Sequence, residues 1–63
     1  MKEKVEKFIL FYQQQGIAER RRIREEFLRE SRLSYPAWYA KLHRKVFSAL
    51  ELAALGKICG KYF

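Results

Sequence analysis

The side chains that could do chemistry in this chain are few, and most stand alone. His43 is the single histidine and Cys59 the single cysteine. General acid–base work needs a base within hydrogen-bond reach of a partner, and no carboxylate or nucleophile accompanies His43 in its segment. A zinc site needs a cluster of Cys and His ligands, and a disulfide within the chain needs a second cysteine. Paired carboxylates, metal-ligand spacing and a Gly-rich phosphate loop are all lacking in the sequence. His43 therefore reads as a surface residue, and Cys59, near the end of an apolar stripe, as a small buried hydrophobe. The chain reads as a non-enzyme without a cofactor, a metal or a small-molecule substrate. What remains is recognition by aromatics and cations, concentrated in "ESRLSYPAWYAKLHR", Glu30 to Arg44. Either this stretch presents side chains to a partner, or it is a buried element of a small bundle.

Charge favours a partner. The net charge is +7 at pH 7, and a small basic protein suggests a polyanion, most often nucleic acid. Residues 1–34 carry nine Lys/Arg against six Glu, and residues 35–63 carry five against one. The second half is thus less charged but nearly all one sign. Charge alone also permits non-specific RNA binding.

These residues must be positioned by helices. With 63 residues the chain reads as a single domain, residues 1–63. A domain this small buries only about 60% of its unfolded surface. Dense apolar packing or oligomerisation must therefore reinforce it. Five Phe, four Tyr and one Trp supply the material. Val5, Phe8, Ile9 and Tyr12 make one helical stripe over Lys2–Gln15, and Gly16 offers a left-handed cap after it. A second helix is predicted over Ala18–Ser31, with Ile23 and Phe27 inward. Its run "ERRRIREE" offers the opposite-charge pairs Arg21–Glu25, Arg22–Glu26 and Glu25–Arg29. The sharper reading of that run is that Arg20, Arg21 and Arg22 overhang a phosphate backbone. Their place near a helix N-terminus, where positive charge opposes the dipole, mildly favours an external anion.

The third helix starts at Ser34, a good N-cap, with Pro36 in its first turn where the missing N–H costs nothing. Trp38 and Leu42 face the core, while Tyr35, Tyr39, Ala40 and His43 point elsewhere. The fourth helix, Ser48–Cys59, opens on the capping box "SALE", buries Leu52, Leu55 and Ile58, and ends at Gly60. Gly56 inside it implies the close approach of another helix. A bundle of this size also leaves little room for a large pocket. No strand pattern, internal repeat or low-complexity segment is present.

Helices two and three are joined only by "SRLS", Ser31 to Ser34, with Leu33 plugging the angle between them, which is a helix-turn-helix arrangement. Here the sequence resembles a family. The segment "REEFLRESRLSYPAWYAKLHRKVFSALELAALGKICG", 37 of the 63 residues, is similar to the helix-turn-helix of Cro- and phage-repressor-type DNA-binding proteins. "REEFLRES" matches the first helix of the motif, "RLS" the turn, "YPAWYAKL" the recognition helix and "SALELAALGKICG" the packing helix. Arg32 stands where the family usually has Gly, and Lys41 where it commonly has an apolar residue.

The resemblance implies that Tyr35, Tyr39, Ala40 and His43 face the major groove, that Arg44 and Lys45 touch phosphate, and that Ser34 and the free N–H groups after it bind a phosphate. That set is poor in Arg, Asn and Gln, the best base readers. It supports DNA binding better than sequence-specific binding.

The first helix has an apolar face wider than one small core requires, since Leu10 and Phe11 lie off its stripe. Tyr62 and Phe63 lie beyond the last cap. Exposed apolar patches mark interfaces, so these four residues predict a homodimer. The competing reading has Tyr62 and Phe63 folding back onto helix one. The apolar run Phe8–Tyr12 is too short for a signal peptide or a membrane span, and the lone cysteine fits the cytoplasm. The resulting expectation is an all-α, small four-helix domain, with a helix-turn-helix over about 18–44 and a packing helix over about 48–59. Its function is expected to be that of a transcriptional regulator binding duplex DNA. The alternative is a protein-interaction module that has the fold without base reading.

Overall fold

Apolar spacing at i, i+3 and i+4 dictates which helix faces turn inward, and a computed structural model describing residues 2–63 shows the result. It is an all-α domain with α1 at Lys2–Gln14, α2 at Ile17–Ser31, α3 at Tyr35–Arg44 and α4 at Ala49–Cys59. Each predicted helix is present, and the ends differ by a residue at most.

The core forms where the stripes meet. Val5, Phe8 and Ile9 of α1, Ile23 and Phe27 of α2, Trp38 of α3 and Leu52 and Leu55 of α4 are buried. Helix α2 packs mainly on α4, with α1 closing over α4 and α3 set against α2. Trp38, fully buried, is the hub. Its ring centroid lies 5.3 Å from Phe27, 5.7 Å from Tyr12, 5.9 Å from Phe47 and 6.3 Å from Phe8. Edge and tilted pairs of this kind add about 0.5–1.5 kcal/mol each beyond area burial. Phe47 comes from the connection between α3 and α4 and is nevertheless buried. Helical periodicity gives no warning of it.

The turns are set by local chemistry. Ser34 accepts the Ala37 N–H at 3.4 Å and caps α3, with Pro36 in the first turn. Ser48 and Glu51 complete the capping box of α4, the Ser48 N–H reaching Glu51 at 2.8 Å and the Glu51 N–H reaching Ser48 Oγ at 3.1 Å. Arg32 adopts the left-handed conformation, φ 59° and ψ 25°, where its N–H closes onto the Leu28 carbonyl at 2.8 Å. Glycine would take this conformation without strain. A side chain in this region costs roughly 1–2 kcal/mol.

The roles expected of two glycines are corrected. Gly16 is extended, φ −69° and ψ 171°, and serves as the N-cap of α2. The end of α1 is closed instead by Gln15, whose side-chain amide donates to the Phe11 carbonyl at 3.0 Å. Gly56 is not approached by another helix. A Cβ there would meet the Lys61 carbonyl oxygen at 2.6 Å, because the chain folds back after the left-handed Gly60. That return carries Phe63 onto α1, 5.4 Å from Phe8 and 5.7 Å from Phe11 between ring centroids. The competing reading therefore holds for Phe63, whereas Tyr62 is fully exposed. The surface carries two open clefts, of about 550 and 380 Å³.

Candidate nucleic-acid interface

Helix α3 carries the exposed face that the third-helix residues were expected to form. Tyr35, Tyr39 and His43 follow one another at four-residue spacing, and Ala40 and Arg44 make the next row. All five are exposed, as are Ser34 at the N-cap and Lys45 at the C-cap. Lys45 is left-handed, φ 57° and ψ 47°, so the chain leaves the helix sharply there. Lys41 and Leu42, on the other side, are half-buried. Lys41 does not clash with the core because its Nζ lies 3.1 Å from Glu51. That carboxylate already caps α4, so one Glu joins α3 to the start of α4.

The two tyrosines are not free. The Tyr35 hydroxyl donates to Glu25 Oε2 at 2.6 Å, and Arg24 Nη1 donates to the Tyr39 hydroxyl at 2.9 Å. Arg24 also pairs with Glu25 at 3.1 Å and stacks over the Tyr35 ring at 5.2 Å. These four residues clamp α3 to α2. The hydrogen bond from Tyr35, followed by Arg24, holds the Glu25 carboxyl below the usual carboxylate range. The same bond to Glu25 raises the Tyr35 hydroxyl. Tyr39 accepts from Arg24 and keeps its own O–H proton to donate outward.

Arg24 was not among the residues singled out from sequence. Its signal was available: it lies four residues after Arg20, on the same row of α2. Arg20, Arg21 and Arg24 line the 380 Å³ cleft, together with Tyr12, Ile17, Tyr39 and Leu42. The lining is thus basic and part aromatic, with the Arg24 guanidinium already engaged by Glu25, Tyr39 and the Tyr35 ring. Burial raises the Tyr12 hydroxyl there. The Trp38 indole N–H behind it is buried with no partner in hydrogen-bond geometry.

Arg22 stands apart. It is held by Glu19 at 2.7 Å and Glu26 at 2.8 Å, and reaches the Ile58 carbonyl of α4 at 3.4 Å. Of the three expected helix-two ion pairs, Arg22–Glu26 forms. Glu25 turns to Arg24 and Tyr35, not to Arg21 or Arg29. The set Arg20, Arg21 and Arg22 is thus divided, with Arg20 and Arg21 beside α3 and Arg22 against α4.

Among the described residues no group of three or more His, Cys, Asp or Glu is gathered to hold a metal. Cys59 is half-buried, and burial raises its thiol. Also among the described residues, no helix is long and apolar enough to cross a membrane. Compared with known proteins, the chain matches no protein-family model, no curated protein and no solved structure.

Proposed function

We propose that this chain is a small DNA-binding protein that lays α3 in the major groove of duplex DNA and acts as a transcriptional regulator in the cytoplasm. The observation that carries the reading is the exposed α3 face, flanked by Arg20 and Arg21 on one side and Arg44 and Lys45 on the other. Ser34, Tyr39 and His43 supply hydrogen-bonding groups between those cations, and Ala40 offers its methyl to a thymine methyl. The Tyr35 hydroxyl is committed to Glu25, so its ring is its contact surface. Base reading is correspondingly weak, and phosphate contacts supply most of the affinity. No catalytic step is assigned to the chain.

Homodimerisation would bring two α3 helices to neighbouring half-sites. In that arrangement exposed Leu10 and Tyr62 would form the contact, while Phe11 and Phe63 pack against each other within the chain. The test is a titration of labelled protein with a short duplex, followed by amide chemical shifts. Shifts grouped on Ser34–Lys45 and on Arg20 and Arg21 are expected. Shifts confined to α1 or α4, or none at low salt, would oppose this docking.

A second reading, a protein-interaction module without DNA reading, draws on one specific observation. The clamp of Arg24, Glu25, Tyr35 and Tyr39 occupies polar groups that a base reader would keep free.

A further inference from the structure

The larger cleft, about 550 Å³, lies away from α3 and shares no residue with the smaller one. Its floor is the face of α4 that carries Ala49, Ala53 and Gly56, small residues spaced by four and three, with Phe63 of the returning chain as one wall. Three cations border it: Lys4 of α1, Lys57 of α4 and Lys61 after the cap. No carboxylate lines it, and none of the three lysines joins an ion pair among the described residues. Lys61 is held in place by the Phe11 ring, 4.6 Å from its Nζ. Tyr62, which lines the cleft, is fully exposed, and Leu50, outside the lining but one turn from Ala53 on α4, is 85% exposed.

We propose that this groove docks an acidic amphipathic helix from another protein, with its apolar stripe on Ala49, Ala53 and Phe63 and its carboxylates on Lys4, Lys57 and Lys61. Ala49 and Ala53, small and exposed, let a second helix approach the first turns of α4 closely, and the returning chain, which already covers Gly56, bounds the groove with Tyr62 and Phe63. Charge selects the occupant. A second copy of this chain would bring three more lysines to a border that already has three, whereas a partner with Glu or Asp beside its apolar stripe neutralises them. The surface needs no DNA contact and stands if the DNA-binding reading fails, but it uses Tyr62, so an acidic helix seated here and a homodimer through Tyr62 exclude each other.

Two synthetic helical peptides test it. Both carry Leu at i, i+3, i+4 and i+7, one flanked by Glu and the other by Lys. Fluorescence anisotropy should show the Glu-flanked peptide binding one to one, and the Lys-flanked peptide binding at least about tenfold more weakly. Ala53→Glu should abolish binding. The double substitution Lys4→Glu and Lys57→Glu should exchange the preference, so that the Lys-flanked peptide now binds better. Circular dichroism and the emission of buried Trp38 establish that each variant is folded, and Leu50→Ser, a milder change, should weaken binding if Ala53→Glu unfolds the chain. The proposal is overturned by equal binding of the two peptides, by equal binding of polyglutamate, or by affinity that Leu50→Ser and the charge exchange leave unaltered. It is also overturned if sedimentation shows a dimer that Leu50→Ser dissociates, since a second copy then fills the groove.

Discussion

The Tyr35 hydroxyl donates to the Glu25 carboxylate at 2.6 Å, across the turn that separates α2 from α3. The bond lies on the exposed surface and ties the first turn of α3 to α2. Tyr35→Phe should lower the melting temperature only slightly, because exposed polar contacts contribute little. Its larger effect should be on DNA affinity, through a less fixed α3. A variant that binds as the parent does would show that the clamp is not needed for docking. Thermal melts and anisotropy on the same preparation give both readings.

The left-handed Arg32 allows a gain of stability. Gly adopts φ 59° without the Cβ penalty, although it also loosens the unfolded chain. Arg32→Gly should therefore stabilise the domain by up to about 1 kcal/mol. Urea unfolding should show a higher midpoint at an unchanged slope. A lower midpoint would mean that Arg32 makes a contact whose loss outweighs the strain.

Gly56 should behave in the opposite way, although Ala is the better helix former by about 1 kcal/mol. Its added Cβ would sit 2.6 Å from the Lys61 carbonyl oxygen, so the returning chain must move. Phe63 would then lose its place on Phe8 and Phe11. Gly56→Ala should cost about 1–3 kcal/mol. Stabilisation by this substitution would show that residues 61–63 do not contribute to the core.

Trp38→Ala removes the ring that touches α1, α2 and Phe47. The expected cost is about 3–5 kcal/mol, most of what so small a domain has. Loss of cooperative melting at 25 °C is the expected result. A parent-like melt would contradict the packing described for the core.

Glu51 gives the stability a pH dependence. Burial raises its carboxyl, but the Ser48 N–H and the Lys41 ammonium outweigh that, and the net displacement is downward. A carboxyl lowered on folding stabilises the domain above its unfolded value near 4.3. The contribution disappears as pH falls through the lower, folded value. Melts between pH 7 and pH 3 should show this loss, and Glu51→Gln should flatten it. At pH 7 Glu51→Gln should cost about 1 kcal/mol, by weakening the cap and the pair with Lys41.

How much of this was legible in the sequence depended on how local the cause is. Ser34, Pro36, the Ser48–Glu51 box and Gly60 act within one turn, and each is found in the expected role. The stripes that bury Phe8, Ile23, Trp38 and Leu55 are equally local in pattern. The role of Gly16 was not legible, because glycine fits either an extended N-cap or a left-handed C-cap, and only the path between α1 and α2 decides. Phe47 lies in a connection, where periodicity carries no information. The clamp at Arg24 and the Lys41–Glu51 pair join residues 10 to 15 positions apart, so the i, i+4 rule could not find them. The exposure of the α3 face was legible. The commitment of its tyrosine hydroxyls to α2 was not.

The central claim, that α3 with its flanking cations binds duplex DNA through phosphates, is tested most directly by the salt dependence of binding. Log affinity against log salt should fall with a slope of roughly −0.9 for each phosphate neutralised. Arg20→Ala, Arg21→Ala, Arg44→Ala and Lys45→Ala should each reduce that slope by about one, and weaken all duplex sequences alike. Absence of a complex at low salt, or a slope that all four substitutions leave unchanged, would contradict it.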